Sequence, residues 1–199
     1  MPDTYLLLVH NLDFTNLDIY AQRIDTECNT LWSTPEEGGI PLCTVPHVQQ
    51  YAKVTYYDES KSVVVWEDRR YNPLYGDIFI QYVDMNGNVL LDEVGEAICT
   101  HGANQIKPRV KADSDGAYVV WEDSRNGPSD IFVQRHVLGQ GSEFENDGFG
   151  ICEISGTQDQ PRLTTDGYGG AYVVWMDERY AAFPETEIFM QHISSSGST

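Results

Sequence analysis

Three segments of this chain repeat one another at a regular long spacing, and that repeat constrains the fold more than any other feature. Val63-Val64-Val65-Trp66-Glu67-Asp68-Arg69-Arg70 matches Tyr118-Val119-Val120-Trp121-Glu122-Asp123-Ser124-Arg125 and Tyr172-Val173-Val174-Trp175-Met176-Asp177-Glu178-Arg179. The tryptophans stand 55 and 54 positions apart. A second element follows each copy: Asp77-Ile78-Phe79-Ile80-Gln81, Asp130-Ile131-Phe132-Val133-Gln134 and Glu187-Ile188-Phe189-Met190-Gln191. Asp18-Ile19-Tyr20-Ala21-Gln22 is an earlier copy, and Tyr5-Leu6-Leu7-Leu8-Val9 fills the Trp-type slot before it. A third element precedes the Trp strand as Ala52-Lys53-Val54, Pro108-Arg109-Val110 and Pro161-Arg162-Leu163. A fourth falls around Thr30-Leu31-Trp32, Val89-Leu90-Leu91 and Ser142-Glu143-Phe144.

Each element is rich in the β-branched and aromatic residues that suit a pleated surface. The runs are punctuated by Asn86-Gly87, Asp115-Gly116, Asn126-Gly127-Pro128 and Asp166-Gly167, pairs that supply the positive φ of tight turns. No segment carries a convincing helical periodicity. Four short strands per unit of about 55 residues is the pattern of a propeller blade. The expected fold is therefore all-β: a propeller arc of about 3.5 four-stranded blades, cut from a larger ring. It divides into a partial blade 1–49, blades 50–104 and 105–157, and a partial blade 158–199. The count of about 14 strands falls short of the roughly 16 that four closed blades require.

The string Trp-x-Asp-x-Arg, a short loop, then Asp-Ile-Phe-x-Gln resembles a repeat of secreted bacterial β-propeller proteins. It stands here as Trp121-Glu122-Asp123-Ser124-Arg125 with Asp130-Ile131-Phe132-Val133-Gln134, and Pro161-Arg162-Leu163 leading to Asp166-Gly167 completes it. The resemblance covers nearly the whole chain. It implies an exported scaffold, secreted or at the cell surface, and only a general architectural likeness to sialidase-type propellers.

Acidic residues outnumber basic ones 31 to 12, a formal charge of -19. That field repels phosphate backbones and anionic membranes, so nucleic acid and membrane insertion are not expected partners. Glycan and protein ligands remain open. No apolar run reaches the length of a membrane span, and Tyr5–Val9 is too short for a signal-peptide core.

Polar residues that recur in every blade read as structure, because a catalytic group is needed once. This covers Asp68, Asp123 and Asp177; Arg70, Arg125 and Arg179; Asp77 and Asp130; and Gln81, Gln134 and Gln191. Each Asp–Arg pair is expected to bridge the loop between the Trp and Gln strands. Trp66, Trp121 and Trp175 are expected to pack between blades. Cys43, Cys99 and Cys152 recur at 56 and 53 positions, too far apart in space for disulfides, and read as small buried hydrophobes. Asp84, Asn86 and Asn88, and Asp113 with Asp115, set hard oxygen donors at alternate positions. Calcium is a possible cofactor there, although neither loop completes an EF-hand.

No nucleophile elbow, zinc-protease helix or phosphate loop is present. The expected function is a non-enzymatic extracellular binding or scaffold module. The alternative is a fragment of a propeller-fold glycoside hydrolase, sialidase-like, which requires a polar group that breaks the repeat and converges at one face. The loops that differ most between copies nominate Tyr71, Tyr75, His101, Asn104, Tyr180 and Phe183 for ligand binding. The open strand edges of an arc also invite pairing with another chain or with missing blades.

Overall fold

The computed structural model describes residues 4–10, 16–32, 38–113, 115–180 and 186–199. Every regular element among them is a strand, and the strands form four antiparallel sheets. The first holds β1 (Thr4–His10), β2 (Ile19–Asp25) and β3 (Ile40–Cys43). The second runs β4 (Gln49–Tyr56), β5 (Lys61–Asp68), β6 (Asp77–Asp84) and β7 (Glu96–Cys99). The third holds β8 (Gln105–Asp113), β9 (Gly116–Asp123), β10 (Asp130–Val137), the short β11 (Gly141–Ser142) and β12 (Phe149–Cys152). The fourth holds β13 (Gln158–Thr165), β14 (Ala171–Asp177) and β15 (Glu187–Ile193). The chain is thus an arc of a β-propeller, with β4, β8 and β13 packed beside one another as the inner strands.

Successive side chains of a strand point to opposite faces, so a Val-Val-Val-Trp run feeds two blade interfaces at once. Val64, Trp66 and Phe79 pack back on Ile19, Ala21, Leu42 and Cys43 of the first sheet. Val63, Val65, Ile78 and Ile80 pack forward on Val119, Trp121 and Phe132 of the third. Tyr118, Val120, Ile131 and Val133 meet Val173 and Trp175 of the fourth. Trp66 and Trp121 are wholly buried, which places the tryptophans between blades. Each buried aliphatic side chain contributes about 1.5–3 kcal/mol, and the alternation makes this stabilisation cooperative from blade to blade.

The outermost strand differs from expectation. The segments at Leu90 and Phe144 are not the fourth strand. They touch the end of the Gln strand through the single bridge Val83↔Val89 and the two-residue β11. The strand that completes each sheet is the cysteine-bearing β3, β7 or β12, paired to the start of the Gln strand. The Gln side chain explains the diversion. Gln81 Oε1 accepts from the amides of Tyr82 and Leu91, while its Nε2 donates to the Asp92 carbonyl. Gln134 does the same with Arg135, Phe144 and Glu145. These bonds satisfy the backbone that a ladder would otherwise satisfy. The chain then turns back at Gly95 and Gly148, both at positive φ, where a Cβ would collide with the Trp66 and Trp121 rings.

The fourth sheet presents an open forward face. Tyr172, Ile188 and Met190 are 41%, 70% and 63% exposed, whereas their counterparts Tyr118, Ile131 and Val133 are completely buried. Among the described residues no sheet stands beyond it.

Candidate active site at the axial mouth

The inner strands begin at Gln49, Gln105 and Gln158, each buried and each registered opposite the Asp of the Trp-x-Asp motif. At this end each of the three Trp-bearing repeats builds a polar lock. The Trp121 indole N–H donates to Asp123 Oδ2 at 2.8 Å, and Arg125 Nη2 donates to the same oxygen at 2.7 Å. Trp66–Asp68–Arg70 and Trp175–Asp177–Arg179 repeat the arrangement. The guanidinium also lies over Phe79, Phe132 or Phe189 of the Gln strand at 3.8, 4.1 and 3.8 Å from the ring centroid. It reaches the cysteine of the preceding blade: Arg70 to Cys43, Arg125 to Cys99 and Arg179 to Cys152, each at 3.1 Å. The Asp–Arg pair therefore ties two blades together as well as closing its own loop. The cysteines belong to this lock, and burial pushes the Cys43 and Cys99 thiols up to about 12. All four cysteines are free.

Nearer the axis the repeat breaks. Each inner strand slips register against its Trp strand between Gln50 and Lys53, Ile106 and Arg109, or Asp159 and Arg162. The bulged residues Tyr51, Lys107 and Gln160 take φ of 56°, 53° and 52°, a region that costs a side-chain-bearing residue free energy and often marks function. Bulges re-aim side chains, and here the bulge position carries three unlike residues, of which Lys107 and the Gln160 amide both reach Glu122. The glutamate of Trp-Glu-Asp lies beneath. Glu67 accepts from Gln50 Nε2 at 2.7 Å and Arg69 Nη2 at 3.0 Å. Glu122 accepts from Lys107 Nζ at 2.8 Å and from the Gln160 amide of the next blade at 2.9 Å. Both glutamates are buried. The third copy replaces the glutamate with Met176, and there Asp159 occupies the slot of Gln50 and Ile106. Asp159 is half-buried; burial first, then the charge of Glu122, raises its carboxyl above the ordinary aspartate range.

Glu122 and Asp159 thus form a pair in unlike environments. One carboxylate is fixed by an ammonium and an amide, and the other has a raised proton affinity. Such a pair can divide the roles of carboxylate base or nucleophile and general acid. Neither stands out in the sequence, because Glu122 sits in a repeated triplet. The signal was available as three dissimilar residue sets, Gln50/Ile106/Asp159, Tyr51/Lys107/Gln160 and Glu67/Glu122/Met176, inside an otherwise regular repeat.

The loop residues nominated from sequence scatter around this end. Tyr71, Tyr75 and Tyr180 are 69%, 44% and 71% exposed. Tyr71 and Tyr180 tilt against Phe79 and Phe189. His101 is exposed. Asn104 instead holds the loop before β6, its Oδ1 accepting from the Gly76 amide. Phe183 lies outside the described residues. Asp77 and Asp130 are buried, and burial together with neighbouring carboxylates pushes them up to about 7 and about 6. Gln191 Nε2 donates to the His192 carbonyl. The candidate calcium residues sit in two separate hairpin turns. Asp84 accepts from the Asn86 and Asn88 amides and the Asn88 side chain, and Asp113 accepts from the amides of Asp115 and Gly116. Among the described residues no three His, Cys, Asp or Glu side chains gather as a metal site.

No protein-family model and no curated protein sequence matches the chain. Solved structures do. An endo-arabinase from Bacteroides thetaiotaomicron aligns over 98% of this chain and 76% of its own, with a TM-score of 0.53 and 13% identity. A GH43 endo-arabinanase from Bacillus licheniformis aligns over 98% of this chain and 92% of its own, with a TM-score of 0.32 and 10% identity. The expectation of a non-enzymatic binding module is corrected at this point. The endo-arabinase is by its name a glycan-cutting enzyme, and at the axial mouth the repeat-breaking Lys107 and Gln160 of two blades converge on Glu122. At this level of identity the likeness establishes one thing about the chain itself, that its fold is a β-propeller arc.

Proposed function

We propose that this chain is the catalytic arc of a propeller-fold glycoside hydrolase that acts on a glycan laid across the axial mouth, outside the cell. The observation that carries the reading is Asp159, a carboxyl of raised proton affinity beside the Lys107-bound Glu122. Asp159 donates the proton to the departing glycosidic oxygen, and Glu122 supplies the opposing carboxylate. Tyr51, 53% exposed at the mouth, and Tyr71 and Tyr75 on the adjoining loop offer faces for sugar rings. The endo-arabinase likeness makes arabinan the first polysaccharide to try.

The test is release of reducing ends from a panel of plant and bacterial polysaccharides, arabinan included, by the full chain and by its D159N and E122Q variants. Wild type is expected to release oligosaccharides, and each variant to lose at least about 100-fold in rate with unchanged near-ultraviolet circular dichroism. Absence of release from the whole panel overturns the reading, as does full activity in both folded variants.

A further inference from the structure

Just inside the mouth, two residues along each inner strand from its bulge, the same slot holds a cation in three successive blades: Lys53, Arg109 and Arg162. We propose that these three side chains form an oxyanion subsite on the propeller axis, which receives the carboxylate or sulfate group of an acidic glycan. This deepens the hydrolase reading and rests on it for the word substrate.

Their placement is built by the fold. Lys53 Nζ donates to the Ala52 carbonyl at 3.0 Å, Arg109 Nη1 to the Pro108 carbonyl at 2.9 Å, and Arg162 Nη1 to the Pro161 carbonyl at 2.8 Å. Each head group is thereby folded back along its own strand toward the bulge and the mouth. β8 packs between β4 and β13, so the three heads occupy corresponding positions on neighbouring inner strands. Each is close enough to its neighbours that their charges lower the proton affinity of Lys53 and Arg109, after the larger effect of burial. A guanidinium carries five N–H donors, so the bonds from one nitrogen leave capacity for a ligand.

The charge count makes the arrangement unusual. The chain has only 12 Lys and Arg against 31 acids. Arg69, Arg70, Arg125, Arg135, Arg179, Lys61 and Lys107 all pair with carboxylates. Among the described residues, Lys53, Arg109 and Arg162 enter no salt bridge. Gathering three cations around the single nearby charge of Glu122, which Lys107 already binds, is destabilising by itself. An arriving anion relieves that repulsion and gains charge-assisted hydrogen bonds. Screening over about 8 Å at physiological salt keeps the distant surface acids from cancelling the cluster. The subsite lies next to Glu122, whose charge reaches Arg109, so an acidic sugar held there sets its neighbouring glycosidic bond against the Glu122–Asp159 pair.

The experiment is calorimetric titration of the full chain with three size-matched probes: an oligogalacturonate, a sulfated oligosaccharide and a neutral arabino-oligosaccharide. One or both acidic probes are expected to bind at least about tenfold more tightly than the neutral one, with affinity falling as salt is raised. Which acidic probe wins distinguishes carboxylate from sulfate. R109Q and R162Q, checked for an unchanged melting temperature, are expected to lose about tenfold each toward the acidic probe and nothing toward the neutral one. R109K is expected to recover part of the loss. Equal affinity for all three probes overturns the subsite, as does an acidic preference that survives R109Q/R162Q. The two readings fail separately: acidic binding without turnover sinks the hydrolase, and turnover of neutral glycans without acidic preference sinks the subsite.

Discussion

Arg125 Nη2 donates to Cys99 Sγ across the boundary between the second and third sheets at 3.1 Å, while the same nitrogen bonds Asp123. The bond joins two periodicities that look independent in the sequence, the tryptophan repeat and the cysteine repeat. It explains why an intrachain thiol occupies the same slot in three blades without forming a disulfide.

Removal of Asp123 is expected to break this lock. The carboxylate is fully buried and accepts from both the Trp121 indole and Arg125. Asp123→Ala leaves a guanidinium and an indole N–H without their acceptor, at a cost of about 3–5 kcal/mol. For a chain of this size that lowers the melting temperature by about 10 °C. Scanning calorimetry of wild type and D123A checks it; an unchanged transition refutes the lock.

The thiols should react in two classes. Cys28 is exposed, whereas Cys43, Cys99 and Cys152 are buried with raised thiol proton affinity, and the nucleophile is the thiolate. A colorimetric thiol titration at pH 8 is expected to read one fast thiol in the native chain and four in denaturant.

Stability should fall between mildly acidic and mildly alkaline pH. Asp77 is pushed up to about 7 by burial and then by Asp68 and Asp147, and Asp130 to about 6 by burial and then by Glu153 and Asp123. A carboxyl raised on folding makes the native state bind more protons than the unfolded chain, so its contribution is full at low pH and is lost as pH climbs through 6 to 7. The lowered Asp177 acts oppositely, and its contribution is lost only under strong acid. Melting temperature is expected to decline from pH 5 to pH 8, and D77N to flatten that decline. A wild-type profile flat across this range contradicts the assignment.

Gly148→Ala should be costly and Gly102→Ala harmless. Gly148 combines φ of 71° with a site where a Cβ strikes the Trp121 ring, while nothing lies within 4 Å of a Cβ at Gly102. The first is expected to lose about 1–3 kcal/mol, read from denaturant midpoints, and the second to stay near wild type.

The chain's local pattern by itself determined the strands and the blade-like repeat. Val63-Val64-Val65-Trp66 reads as a strand buried on both faces, and Asn86-Gly87 reads as the turn that ends the next strand, β6. These are short-range consequences of side-chain alternation and backbone sterics, so they survive reading one copy at a time. Which segment closes each sheet was decided elsewhere. Leu90 and Ile98 are equally good strand residues, and Gln81 reserves the edge for the second by clamping the first. The axial mouth was more distant still from the linear pattern. Lys107 meets Glu122, and Gln160 reaches that same carboxylate from 38 positions away, while Lys53, Arg109 and Arg162 become neighbours only when three blades turn about one axis. Local propensity fixes each strand, but the field at a point sums charges over space. Only the tertiary arrangement could bring repeat-breaking residues of separate blades to one place.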